Sequence, residues 1–82
     1  MSKYSPLGNY LRMQTGSELR LSFADVEEII EAPLPPSAHN HGEWWANDTT
    51  GGHTHSTQWL GAGWAVDGFS LTERWVRFKR NG

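Results

Sequence analysis

Residues 52–64 read Gly-His-Thr-His-Ser-Thr-Gln-Trp-Leu-Gly-Ala-Gly-Trp, and the rest of the chain is organised around how this stretch folds. Its second half is apolar and aromatic, with Trp59, Leu60, Ala62 and Trp64. Its first half is small and polar: His53, Thr54, His55, Ser56, Thr57 and Gln58. The pattern predicts a short helix over residues 53–61, ended by Gly61 and Gly63. A helix anchored at its C-terminal half and displayed at its polar N-terminal half is how a recognition helix meets a DNA groove. The same residues also suit an ordinary amphipathic helix whose Ser, Thr and His solvate one face.

Downstream, residues 65–71 and 74–80 read as a β-hairpin turning at Thr72-Glu73. In the first strand Val66, Gly68 and Ser70 share one parity, opposite Asp67, Phe69 and Leu71. In the second, Val76 and Phe78 point one way and Trp75, Arg77 and Lys79 the other. Upstream, Ser5-Pro6 opens a helix over residues 6–14, with Ser5 as cap, Pro6 suited to the first helical position and Leu7, Tyr10 and Leu11 forming the apolar stripe. Gly8 weakens that helix and keeps it short. Leu19 and Leu21 alternate with Glu18, Arg20 and Ser22, a half-buried strand. Ser22 and Asp25 have capping-box spacing before a second helix, which buries Phe23, Val26, Ile29 and Ile30 and ends after Glu31, ahead of Pro33. Leu34-Pro35-Pro36 is a rigid connector, followed by a short helix over residues 37–45 and a polar loop over residues 47–52.

The order is helix, strand, helix, a Pro-anchored segment, helix, strand, strand. An α+β winged helix-turn-helix-like domain has this order: three principal helices, a short strand and a C-terminal β-hairpin wing with which that strand pairs. The stretch between its second and third helices is longer here than the usual turn.

Eighty-two residues make a single domain over residues 1–82. A domain this small needs an efficient core, and five Trp, three Phe and two Tyr supply it. No Cys is present, so disulfides and thiolate metal sites are excluded, and the cytoplasm is the expected location. No apolar run approaches the roughly 20 residues that span a bilayer. Residues 1–10 have no apolar segment of a signal peptide. The net charge is −2, but it is unevenly spread: residues 74–82 carry Arg74, Arg77, Lys79 and Arg80 and no acid. A basic edge on an acidic domain can face phosphate.

The chain resembles a widespread, functionally uncharacterised family of small bacterial and archaeal domains. The resemblance is carried by Tyr-Ser-Pro-Leu-Gly-Asn-Tyr-Leu at residues 4–11, Leu-Ser-Phe at 21–23, Leu-Pro-Pro-Ser-Ala at 34–38, Trp-Trp-Ala-Asn-Asp at 44–48, Trp-Leu-Gly-Ala-Gly-Trp at 59–64 and Val-Arg-Phe at 76–78. It covers nearly the whole chain and implies a winged-helix-type domain, found alone or attached to nuclease-like partners. The family pattern has Arg where this chain has His39, a basic residue near Gly42, Gln at His55 and Arg at Thr57. Gly51-Gly52 also lengthens a loop that is often shorter. With positive charge lost at those places, the resemblance implies weaker phosphate contact here, or a different ligand.

Nucleic acid is the expected partner, duplex DNA above all. His53, Thr54, His55 and Thr57 would reach bases or phosphates from the third helix, and Arg74, Arg77 and Lys79 would contact phosphate from the wing. Asn47 would read adenine or bridge its own loop. Two His-x-His pairs, His39/His41 and His53/His55, raise metal binding. On a helix, residues two apart point about 200° from each other, so His53 and His55 would not share an ion. No metal or cofactor is expected, and no catalytic triad, phosphate loop or dinucleotide fingerprint is present. Trp44, Trp45, Trp59 and Trp64 read as core, with one of the adjacent Trp44/Trp45 pair more exposed and able to stack on a base. The expectation is therefore a non-catalytic DNA-binding module. The competing reading is a protein-interaction or homodimerisation adaptor, with the acidic face of the second helix or the Trp-rich segment docking a partner.

Overall fold

Alternating apolar residues in three short segments build the frame on which everything else rests. In the computed structural model, which describes residues 3–48 and 55–81, β1 (Glu18–Ser22), β2 (Trp64–Ser70) and β3 (Trp75–Arg80) form one antiparallel sheet in the order β1-β3-β2. The early strand pairs with the second strand of the terminal hairpin, Leu19 opposite Phe78 and Leu21 opposite Val76. Directly opposed residues share a face. Leu19, Leu21, Val66, Val76 and Phe78 therefore line the inner face, and all belong to the core or pack against it.

The parity expected along β2 needs correction. The register shifts between Val66 and Gly68, so Asp67 is an extra residue. Val66 pairs with Phe78 on the inner face, whereas beyond the bulge Gly68 pairs with Arg77 and Ser70 with Trp75 on the outer one. A bulge adds one residue and exchanges the faces of everything after it.

The described residues contain four α-helices and a 3₁₀ turn. α1 (Ser5–Arg12) carries Pro in its first turn and buries Leu7, Gly8 and Leu11. Tyr4, not Ser5, is at its cap position, without a side-chain cap bond. It stops two residues before the expected end, where Met13 N donates to Tyr10 O (3.2 Å) and Gln14 N to Leu11 O (3.1 Å) in a tightened last turn. The Gln14 side-chain Nε2 donates to Tyr10 O (3.0 Å), and beyond the helix Arg80 Nη2 donates to Gln14 O (2.6 Å). α2 (Phe23–Ile30) begins with the expected capping box. The Asp25 amide donates to Ser22 Oγ (3.0 Å), and the Ser22 amide donates to Asp25 Oδ2 (3.1 Å). It ends at Glu31, whose left-handed φ of 56° turns the chain toward Pro33.

The helix expected over residues 37–45 is two pieces, α3 (Pro36–Asn40) and a 3₁₀ turn (Gly42–Trp45), separated by extended His41. Gly42 sits under the Phe69 ring, where an added Cβ would lie 2.7 Å from Phe69 Cζ. That close approach sets the turn against β2. α4 (Ser56–Gly61) is shorter than expected, and residues 53 and 54 lie outside the described residues.

The core is aromatic. Phe23 stacks on Trp45 (5.0 Å between ring centroids), Trp45 on Trp59 (6.1 Å), and Trp59 meets Phe78 edge-on (5.7 Å). This run ties α2, the 3₁₀ turn, α4 and β3 together. A buried indole N–H needs an acceptor. Trp45 donates to Ala38 O (3.0 Å), Trp59 to Asn47 Oδ1 (3.0 Å) and Trp64 to Leu11 O (2.9 Å). Of the adjacent pair, Trp45 is buried and Trp44 only half-buried, as expected. Among the described residues no helix is long and apolar enough to cross a membrane.

Candidate nucleic-acid interface

The polar end of α4 is held inward, against the expectation that it stands open to solvent. His55 is 8% exposed and Ser56 is fully buried. The His55 ring lies flat on Trp44, with centroids 3.9 Å apart and planes within 5°, and Tyr4 meets both rings edge-on. His55 Nε2 is 2.6 Å from Trp44 O. A carbonyl oxygen only accepts, so this nitrogen carries the proton and donates. Ser56 Oγ donates to Asp48 O (3.0 Å). These polar side chains are satisfied by neighbouring backbone, as burial requires. Thr57 is exposed; His53 and Thr54 lie outside the described residues.

Asn47 is likewise spent on the fold. Its Nδ2 donates to Val66 O (2.9 Å), and its Oδ1 accepts from Val66 N (2.8 Å) and Trp59 Nε1 (3.0 Å). Of the two roles read from the sequence, the bridging one describes this geometry. The face of Trp44 that His55 covers is not open to a base.

The basic residues of the hairpin fall differently. Trp75, Arg77 and Lys79 share the outer face of β3, as alternation predicts. Ser22 and Ser70 flank Trp75, Arg20 and Gly68 flank Arg77, and Glu18 and Ala65 flank Lys79. Arg77 Nε donates to Asp67 Oδ2 (3.2 Å), and its guanidinium crosses Gly68, where a Cβ would lie 2.9 Å from Nη2. The Arg20 and Arg77 guanidinium carbons lie 5.1 and 6.0 Å from the Trp75 ring centroid. Trp75 Nε1 donates to Glu73 Oε1 (3.2 Å). Arg74 is exposed in the hairpin turn, at a left-handed φ of 61°, and its carbonyl accepts from the Phe23 amide (2.9 Å).

Arg80 has the opposite parity and a structural task. It lies over Trp64 (4.5 Å) and donates to Gly16 O (3.1 Å) and Gln14 O (2.6 Å) beyond the end of α1.

Two surfaces expected to be continuous are therefore separate. α4 meets the inner face through Trp59 and Phe78, whereas Arg77 and Lys79 project from the outer face. Arg20, absent from the sequence-derived set, joins the outer group. Its signal was present in the alternation of Glu18, Arg20 and Ser22 against Leu19 and Leu21.

Elsewhere, a groove of about 400 Å³ is lined by Tyr10, Leu21, Asp25, Glu28 and Ile29. A smaller one of about 270 Å³ is lined by Ser37, His41, Glu43, Trp44 and His55. His39 packs edge-on against Phe23 (5.4 Å) with its Nε2 3.9 Å from Glu27 Oε2. Among the described residues no three His, Asp or Glu side chains group so as to hold a metal ion.

The family model described as Domain of unknown function (DUF7662) matches residues 4–81. No curated protein and no solved structure matches the chain.

Proposed function

The chain belongs to the DUF7662 family of domains of unknown function, and we propose that it is a non-catalytic nucleic-acid-binding module of winged-helix type. The element order and the strand order β1-β3-β2 support the winged-helix assignment, with β2 and β3 as the wing. The observation that carries the reading is the cationic outer face of the sheet: Arg20, Arg77 and Lys79 stand together there, and Arg74 follows in the adjoining turn. Of the α4 residues expected at the interface, Thr57 is exposed but belongs to the helix on the other side of the sheet. Asn47 and His55 support the scaffold.

Acids temper the attraction. Asp67 pairs with Arg77, and Glu18 lies opposite Lys79. Binding is accordingly weak and electrostatic, in the range of about 10⁻⁴–10⁻⁶ M that characterises non-specific contacts at physiological salt. A salt series tests this. Four phosphate contacts give a slope of log affinity against log salt of about −3.6 on duplex DNA. Arg77→Ala with Lys79→Ala reduces the slope by about 2. Absence of binding to duplex and to single strands at low salt refutes the reading.

One observation favours an adaptor instead. The groove beside α2 is lined by apolar Leu21 and Ile29 together with acidic Asp25 and Glu28, a combination suited to a basic, amphipathic protein segment. Loss of all nucleic-acid binding in the salt series would put this second reading ahead.

A further inference from the structure

We propose that the outer face of the sheet takes an unpaired strand, one base stacking on Trp75 while Arg20 and Arg77 hold the neighbouring phosphates. This rests on the nucleic-acid reading above and names the form of nucleic acid. Trp75 is the starting point. Trp45, Trp59 and Trp64 belong to the core and Trp44 packs against it, but Trp75 does neither. Its strand neighbours on the same face are Ser22 and Ser70, too small to wall in an indole. A large, half-buried ring is thus kept on the outer surface beside two cations, Arg20 and Arg77.

An aromatic face with cations around it matches single-stranded nucleic acid, because every base offers a π-face and every linkage a negative charge. A duplex keeps its bases stacked on each other and cannot use the ring without being opened. Arg20, at 5.1 Å from the ring centroid, is within cation–π reach of the indole and Arg77, at 6.0 Å, is at its limit, so cations already gather at this ring. Arg20 can turn from the ring to a phosphate or lie over the inserted base, and Arg77 can do so on exchanging Asp67 for phosphate. Trp75 and Arg77 are two residues apart along β3, about 7 Å, which suits a base and the phosphate beside it. On the β2 side Arg77 lies across Gly68, and small Ala65 stands beside Lys79, so an extended strand running along the face meets the Arg77 guanidinium first. Asp67, Glu18 and Glu73 border the same face; phosphate must compete with Asp67 for Arg77 and the base must tolerate Glu73 at the indole N–H.

The test compares a ten-nucleotide oligothymidine, the same length of oligouridine and a hairpin duplex at one low salt concentration. The indole N–H resonance of Trp75 is followed in the wild-type protein. The expected result is tighter binding of the single strands than of the duplex, with the Trp75 resonance moving on addition of either strand. Trp75→Leu loses at least about five-fold in single-strand affinity, the lower end of what one stacked base contributes. Trp75→Phe stays within about two-fold of wild type, and neither variant changes duplex binding. Duplex binding as tight as single-strand binding, or a stationary Trp75 resonance in the bound state, overturns the single-strand assignment and leaves the nucleic-acid reading standing. No binding to any of the three overturns both.

Discussion

A single amide explains why residue-level reading of the loop before α4 divides between recognition and architecture. Asn47 spends both ends of its side chain on Val66 and adds the indole N–H of Trp59, three bonds between 2.8 and 3.0 Å. An alanine there leaves a fully buried indole donor unpaired. Asn47→Ala should lower unfolding free energy by about 2–3 kcal/mol, measured in urea titrations, while Asn47→Asp, which still accepts twice, should cost less. Gly8 makes a complementary case. In the sequence it reads as a helix-weakening residue, and helix propensity alone favours alanine. In the fold, an added Cβ lies 2.9 Å from Gln58 O, because α1 and α4 approach there. Gly8→Ala should therefore destabilise, by about 1–3 kcal/mol, and the same denaturant experiment decides the sign. His55 was equally opaque. Nothing in His-Ser-Thr-Gln says that the ring lies flat on Trp44 and bonds its carbonyl, since those partners are eleven residues away.

Elements were more legible, wherever their signal is local. The Ser22/Asp25 box, the Pro-led α1 and the alternation of β1 and β3 all depend on neighbours within four residues, and all stand where the sequence puts them to within two. Ser22→Ala removes the hydroxyl that accepts from Asp25 N and should cost about 1 kcal/mol in thermal or urea unfolding; Ser22→Thr should retain most of it. Where tertiary contacts choose, local pattern fails. The single helix predicted over residues 37–45 breaks at His41 because Gly42 must pass beneath Phe69. The strand parity of β2 inverts at Asp67 because the bulge is a property of pairing with β3. The shortened α4 leaves six residues, of which Trp59 is anchored by Asn47 and Phe78.

At the scale of the molecule, the pairing of β1 with β3 is what element order anticipates, and the α+β architecture follows from it. Which side each group faces is another matter. Helix order alone set the third helix and the wing's cations side by side; the sheet keeps them apart, α4 on one face and Arg77 and Lys79 on the other. The candidate surface therefore shifts to the open face, where Arg20 and Trp75 join it. Only the strand register brings Arg20 opposite Arg77, across 57 positions of sequence.

The outermost strand β2 carries one more consequence. Sheet margins ordinarily offer bare amides and carbonyls to any passing strand, a standing invitation to fibre growth. At Val66 both groups are already engaged by Asn47, and the bulge at Asp67 bends the ribbon just beyond. A second copy finds no backbone pair at Val66 on which to extend the sheet, so strand addition along this margin of β2 is interrupted at that residue.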